Sequence, residues 1–597
     1  MMTANLDFSL KSTSPFAQAF VDLLRRKAPD APPDLLGLAL QAASATERGD
    51  VCVAMPSGVN LLQWQVSGLV GAPGDFAPLI AEHGRLYLAR YHAYEARLAQ
   101  QIRALAAQTI VPDPDLPQQL NQLFGEAKPD EIDWQRIAVA AALQKKLLVI
   151  SGGPGTGKTT TVVKLLALLQ SGENPLHIML AAPTGKAAMR MQEAIRKAKM
   201  DPKINISALV AQSIPDTAST LHRLLGYRPN SVQFRHHAGN PLVLDVLVVD
   251  EASMIDLALM SKLLDALPSH ARLILLGDKD QLASVEAGAV MGDLCDGVGL
   301  SASFAAQLSA TSGQTVQPEF SPSIMGDQVI TLQKSYRFSG VIGQLAKAIN
   351  TEQSRKVAEI LQAHRLESLA AQNEQTPLRW YEHNPAQAGA ALLTPVWQGY
   401  EPYFAAVAEY QSQISSAELV FRIFDQFRVL SPLKHGLASV EQINVLLEQA
   451  LVKRGLRQPD QSWYAGRAVL VPQNLYELDL YNGDIGLTLP DQDGKLWVHF
   501  LQADGSTRKV ASSRLAGVES AFAMTVHKSQ GSEFAHVLLL LPGNESGANR
   551  LLSRELVYTA ITRAKEQVTL WGEAATIRQA VAKKVERQSG LAERLLK

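Results

Sequence analysis

The sequence predicts an α/β protein built on parallel sheets, and three observations carry that expectation. Short apolar runs at 147–150, 178–182, 246–249 and 273–276 each end in a glycine or polar turn and lead into a helical pattern. Buried strands that alternate with helices imply a parallel sheet covered on both faces. A glycine-rich loop, Gly152-Gly153-Pro154-Gly155-Thr156-Gly157-Lys158-Thr159, follows the first run and opens a helical stretch at 160–169. A second α/β texture begins near residue 340, so the same layered core is expected twice.

The elements follow in chain order. At 597 residues the chain exceeds what one hydrophobic core usually organises, so three or four domains are expected. Residues 1–115 read as a helical N-terminal domain, because Tyr91, Tyr94, Leu98, Ile102 and Leu105 recur at helical spacing. The stretch Val111-Pro112-Asp113-Pro114-Asp115-Leu116-Pro117 then breaks the pattern as a linker. A first α/β domain is expected over 126–335 and a second over 336–597. Residues 301–328, rich in Ser, Ala, Gln and Pro, read as a long surface insertion. Within the second domain, 484–515 carries three short strand patterns separated by Asp-Gly turns, the signature of a small inserted β-barrel.

Composition narrows the function classes. The net charge is −1, so nucleic acid would have to be held by a local groove and not by overall basicity. Only Cys52 and Cys295 are present, which excludes a zinc ribbon, an iron–sulfur cluster or a disulfide framework. No apolar run is long enough for a membrane span, and residues 1–14 lack the order of a signal peptide, so a cytoplasmic protein with no membrane partner is expected.

The chemistry-bearing residues begin with the glycine-rich loop, which matches GxxxxGK[ST] in the strand-before, helix-after setting that phosphate binding requires. Glycines let backbone N–H groups converge on phosphates at a helix N-terminus. Gly152, Gly153, Pro154, Gly155, Thr156, Gly157, Lys158, Thr159 and Thr160 are therefore nucleotide-binding candidates. Lys158 would reach the β- and γ-phosphates of ATP, and the Thr159 hydroxyl would ligate Mg²⁺. The run at 246–249 ends in Asp250-Glu251. Asp250 would complete the Mg²⁺ shell and Glu251 would polarise the attacking water. Gln281, beyond the 273–276 run, is a candidate γ-phosphate sensor. His236-His237 reads as an exposed hairpin between Tyr227 and Pro241, and Glu126-Ala127-Lys128 reads as a solvated face, not a nuclease site.

Further motifs make a family resemblance specific. They are Ala182-Pro183-Thr184-Gly185-Lys186-Ala187-Ala188, Thr220-Leu221-His222-Arg223-Leu224-Leu225-Gly226 and Asp250-Glu251-Ala252-Ser253-Met254. Gly277-Asp278-Lys279-Asp280-Gln281-Leu282-Ala283-Ser284-Val285-Glu286-Ala287-Gly288, Ser335-Tyr336-Arg337-Phe338, Asn482-Gly483-Asp484-Ile485-Gly486 and Thr525-Val526-His527-Lys528-Ser529-Gln530-Gly531-Ser532-Glu533-Phe534 continue the series. Tyr558-Thr559-Ala560-Ile561-Thr562-Arg563-Ala564-Lys565 closes it. In order and spacing these resemble the RecD family of superfamily-one helicases, from about residue 130 to 570.

The resemblance implies two RecA-like P-loop motor domains and an SH3-like inserted barrel. It also implies ATP-driven 5′→3′ movement on DNA ends in double-strand-break repair and recombination. Gln135 resembles the glutamine that reads adenine, and Arg337 and Arg563 resemble arginines that the second motor domain points at the γ-phosphate. A planar, permanently charged guanidinium suits that role. Thr184, Thr220, His222, Thr525, His527 and Ser529 fall in motifs that face single-stranded DNA in this family. RecB and RecC are the implied partners, with DNA cleavage placed in RecB and the N-terminal domain docking on RecC. Two alternatives stand beside this reading: a stand-alone RecD-like helicase, and a nucleotide-gated module that grips DNA without stepping.

Overall fold

The computed structural model describes residues 14–128, 131–172, 174–229, 231–336, 340–366, 376–502, 505–543 and 551–596. The chain opens with strands β1 (Cys52–Ala54), β2 (Val70–Gly71), β3 (Leu79–Glu82) and β4 (Arg85–Leu88), which form a sheet in the order β1-β4-β3-β2. The helical N-terminal region expected from the sequence therefore needs correction: helices Pro15–Lys27 and Pro33–Glu47 pack around this sheet. Strands of two to four residues are too short to show a period of two, so the sequence pattern concealed them.

The helix Ala89–Ala106 comes next, and it does not belong to the N-terminal sheet alone. Its Leu98, Ala99, Ile102 and Leu105 share one core with Leu257, Met260 and Leu264 of the helix Leu257–Ala266. The apolar stripe read from the sequence is thus the seam that fastens the N-terminal region to the first motor domain.

The first motor sheet consists of β5 (Leu147–Gly152), β6 (Ile178–Ala182), β7 (Ala218–Thr220), β8 (Val246–Val249), β9 (Arg272–Gly277) and β10 (Val329–Leu332). Its order is β10-β5-β9-β8-β6-β7, parallel throughout. Successive strand residues feed opposite faces: Leu148 and Ile150 enter the core on the side of Trp134–Gln144 and Lys158–Leu169, whereas Leu147 and Val149 enter the other. That two-sided burial is why these strands read as unbroken apolar runs.

The surface insertion expected at 301–328 is also corrected. Ser301 caps a helix, Ala302–Ser312, whose Phe304, Ala305 and Leu308 are buried in the first motor core. Arg136, itself buried, donates to the carbonyls of Ser312 (2.6 Å) and Gly125 (2.8 Å), which ties this helix to the segment ahead of the glycine-rich loop. Composition hid the helix, but the capping serine and the Phe304–Leu308 spacing were signals for it.

The second motor sheet has β11 (Leu378–Tyr381), β12 (Phe427–Ser431), β18 (Ala523–Thr525), β19 (Phe534–Leu540) and β20 (Ala564–Trp571), in the order β11-β20-β19-β12-β18, again parallel. Inserted between β12 and β18 are β13 (Ala468–Leu470), β14 (Ile485–Pro490), β15 (Leu496–Leu501), β16 (Thr507–Ala511) and β17 (Glu519–Ser520). They form an antiparallel sheet in the order β16-β15-β14-β13-β17. The insertion is therefore longer than the 484–515 expected. Among the described residues its strand order runs from edge to edge, without a β16–β17 pairing to close a barrel. Among the described residues no helix is long and apolar enough to cross a membrane.

Candidate functional site

Three neighbouring strands of the first motor sheet, β5, β9 and β8, end side by side and deliver Gly152, Asp278 and Asp250 to one edge. Ligand sites in parallel α/β sheets form at this carboxyl edge. The loop after β5 turns sharply into the helix Lys158–Leu169, and it does so through left-handed backbone at Gly155 (φ 76°) and Gly157 (φ 82°). A Cβ at Gly157 would overlap the Gln135 amide, so this position needs glycine twice over. Gln135 Nε2 donates to the Thr156 carbonyl (3.0 Å), which fixes that amide against the loop.

The Lys158 ammonium donates back to the carbonyls of Gly152 (2.5 Å) and Gly153 (3.3 Å), a position from which it can swing to a phosphate. Beside it, the Asp250 carboxyl is pushed up to about 6, first by desolvation and then by repulsion from Glu251, with Lys158 pulling the other way. Glu251 has φ 52°, a left-handed conformation for a residue with a side chain. Such backbone costs on the order of 1–3 kcal/mol and tends to persist where a site requires it. Gln281 is buried, and its Nε2 donates to Asp278 Oδ2 (3.1 Å).

The opposite wall comes from the second motor domain. Arg563, 2% exposed, donates through Nε to the Thr559 carbonyl (3.1 Å) and through Nη1 to the Ser532 carbonyl (3.3 Å). It lines a cleft of about 730 Å³ together with Lys158, Thr159, Asp250, Glu251 and Gln281. The predicted catalytic residues are thereby brought together from both motor domains, except that Arg337 lies outside the described residues, while Gln135 lines a neighbouring pocket with Thr156 and Tyr336. Thr160 and the loop 154–157 line the same cleft.

Other residues at or beside this cleft make contacts that the sequence did not assign. Arg190, on the helix Gly185–Lys199, pairs with Glu533 (2.8 Å), which precedes β19. Tyr558 Oη donates to Asp278 Oδ2 (3.0 Å) across the two motor domains. Helical spacing offered a signal for Arg190, which stands four residues after Lys186 and so shares its face. Tyr558 and Glu533 stand within quoted motifs, but nothing local assigned them these partners, which lie hundreds of residues away.

The residues proposed to face DNA separate into two groups. Thr184, Thr220 and His222 line a cleft of about 490 Å³ with the loop that carries Asn474, Asp479 and Asn482. Thr184 and Thr220 also cap helices, accepting from Ala187 N (3.2 Å) and Arg223 N (3.3 Å). Burial pushes the His222 and His527 imidazoles below their ordinary range, which favours their neutral form. Thr525, half-buried at the end of β18, accepts from Lys528 N (3.3 Å). Ser529 is a correction: it is fully buried and its hydroxyl donates to the Val526 carbonyl (2.7 Å), so it closes a turn and presents no surface to a strand. His236 and His237 do sit in an exposed hairpin, bridged to Asn240.

A family model described as an AAA domain matches residues 135–287, and one described as a UvrD-like helicase C-terminal domain matches 520–571. The chain is similar to the RecBCD enzyme subunit RecD of Haemophilus influenzae, 38% identical over 541 residues that span 87% of this chain and 81% of that protein. It is 36% identical to the protein of the same name from Mycolicibacterium smegmatis, over 93% of this chain and 92% of that one. Among solved structures, Pif1 helicase from Bacteroides in complex with ADP-AlF3 and single-stranded DNA aligns over 76% of this chain and 95% of its own, at 15% identity and a TM-score of 0.39.

Proposed function

The chain belongs to the RecD family, and on that premise we propose that it is an ATP-hydrolysing 5′→3′ DNA helicase that works in the cytoplasm as a subunit beside RecB and RecC. One observation carries the catalytic part. The phosphate loop and the Asp250–Glu251 pair of one sheet share a cleft with Arg563 of the other.

Each residue of the cleft has its own task. The loop amides and Lys158 hold the triphosphate, and Gln135 reads the adenine edge. Thr159 and Asp250 offer hard oxygen donors, and a divalent cation would offset the desolvation and the Glu251 repulsion that raise Asp250, so the set fits Mg²⁺. The bound ion would neutralise phosphate charge as the bond breaks. Glu251 accepts a proton from the attacking water, and Arg563 meets the charge that develops on the γ-phosphate. Because Arg563 belongs to the second motor domain, hydrolysis requires a closed cleft, and closure becomes movement along DNA. Thr184, Thr220, His222, Thr525 and His527 would hold the strand through sugar and phosphate contacts that carry no sequence information.

The test is ATP turnover by the full chain with and without single-stranded DNA, together with displacement of a strand from a duplex bearing a 5′ tail. Turnover that ignores DNA overturns the motor reading. DNA binding gated by nucleotide, without strand displacement, would favour the gripping module instead. Copurification with RecB and RecC checks the assembly.

A further inference from the structure

The last segment of the chain crosses from the second motor domain back to the first. Val585 N still donates to Glu555 on the helix Arg554–Ile561 (3.1 Å). Two residues later Arg587 inserts its guanidinium into the loop 284–288, which lies just beyond Gln281 in the first motor domain. Nη1 donates to the carbonyls of Glu286 (2.9 Å) and Gly288 (3.1 Å), and Nη2 donates to the carbonyl of Ser284 (2.5 Å). The Ser284 hydroxyl, also within 3.4 Å of Nη1, adds its own bonds to Glu286 and Gly288 carbonyls. Gly49 (φ 98°) makes room: a Cβ there would stand 2.6 Å from the guanidinium carbon, and the Gly49 carbonyl accepts from Gly288 N (2.9 Å).

The loop held in this way is short and has a second set of partners. Gln281 faces the nucleotide cleft. The next residue, Leu282, is bridged to the second motor domain twice: its N–H donates to Thr559 Oγ1 (2.9 Å) and its carbonyl accepts from Gln530 Nε2 (2.7 Å). Thr559 in turn supplies the carbonyl that holds Arg563, and the Arg587 charge also helps to push the His527 imidazole down. One end of the loop therefore lies in the cleft, its middle lies on the second domain, and its far end is gripped by a fork of charge-assisted bonds to backbone carbonyls.

We propose that Arg587 is a positioning residue of the motor, which clamps 284–288 so that Leu282 stays in register with Thr559 and Gln530 and passes closure between the nucleotide cleft and the DNA-facing half. This rests on the motor reading of the chain. A simple tether for the chain end is a different role, and other contacts already supply it. Arg85 pairs with Glu593 (2.5 Å), Arg103 with the Leu596 carbonyl (2.8 Å), and Leu591 and Leu595 are buried.

The test compares Arg587→Gln with Arg85→Met in the full chain, reading ATP turnover with and without a single-stranded oligonucleotide, KM for ATP, and Tm. Arg587→Gln is expected to lower DNA-stimulated kcat by about ten-fold, the scale of a small misplacement near a reacting centre, while DNA-free turnover and KM stay within about two-fold. Arg85→Met, which loosens the same segment elsewhere, should leave both rates unchanged. Arg587→Lys, which keeps the charge but not the fork, should fall between, and it carries the same readouts if the glutamine variant does not fold. Unchanged DNA stimulation in both Arg587 variants overturns the proposal. So does an equal fall of basal and stimulated rates, or an equal loss in Arg85→Met. If the unsubstituted chain shows no DNA stimulation, the motor reading itself fails, and this inference fails with it.

Discussion

The two motor sheets are both parallel, yet they present opposite edges to the cleft between them. The first offers the carboxyl ends of its strands: Gly152 closes β5, and Asp250 and Asp278 directly follow β8 and β9. The second offers the beginnings of its strands, since Glu533 directly precedes β19 and Arg563 directly precedes β20, with Phe534 N donating to the Arg563 carbonyl (2.9 Å). A carboxyl edge feeds loops into helix N-termini, where backbone amides gather around anions. A strand's amino edge has no such cradle, so the second domain contributes by side chain alone. On the proposed roles, one architecture used twice thus yields a half that holds phosphate and a half that supplies charge to it.

If that asymmetry is right, damage to the first half should cost most. Lys158→Gln is expected to abolish measurable ATP turnover while leaving Tm near that of the unsubstituted chain, because the ammonium lines a cleft and is not packed in a core. Calorimetry and a phosphate-release assay check both parts. Glu251→Gln should reduce turnover by roughly 10²–10³ while still binding ATP, since an amide cannot take the proton from water. Lost binding in that variant would make Glu251 structural and break the assignment.

Smaller effects sharpen the comparison. Leu98→Ala should destabilise the first half by about 2–4 kcal/mol, because Leu98 is fully buried beneath the first motor sheet, with KM for ATP unchanged. A chemical-denaturation series measures it, and a negligible change would mean that the N-terminal helix is only loosely attached. The smallest effect concerns pH. Asp250 titrates near 6 in the folded protein against an ordinary 3.8, so between those values the folded state holds its proton longer than the unfolded chain. Its contribution to stability is therefore intact below the lower value and is lost as pH rises through the upper one. Asp250→Asn should raise the Tm of the nucleotide-free protein at pH 7 but not at pH 4. A variant less stable at both would contradict the strain ascribed to this pair.

The same contrast explains what could be read from the sequence. The first motor strands are buried on both faces and their loops carry fixed spacings, so the runs at 178–182 and 246–249 coincide with β6 and β8 to the residue. The N-terminal strands are two to four residues long, and they left no period. The helix Ala302–Ser312 was masked by small polar residues, although Phe304 and Leu308 carry its packing. In the site, the loop and the carboxylate pair were legible because they are local in sequence. Tyr558 on Asp278 and Arg587 on 284–288 were not, because each is a contact between segments about 300 residues apart (|i−j| 280 and 303). Ser529 failed for another reason: whether a hydroxyl faces solvent is decided by a turn that composition does not reveal.

If hydrolysis is completed across the cleft, Arg563→Gln should disable it. With single-stranded DNA present, this variant is expected to keep near-normal ATP affinity and to lose turnover by about 10³ or more, the scale known for arginines that act in this way. Turnover within a few-fold of the unsubstituted chain would contradict completion across the cleft, because the first motor domain would then hydrolyse ATP without the second.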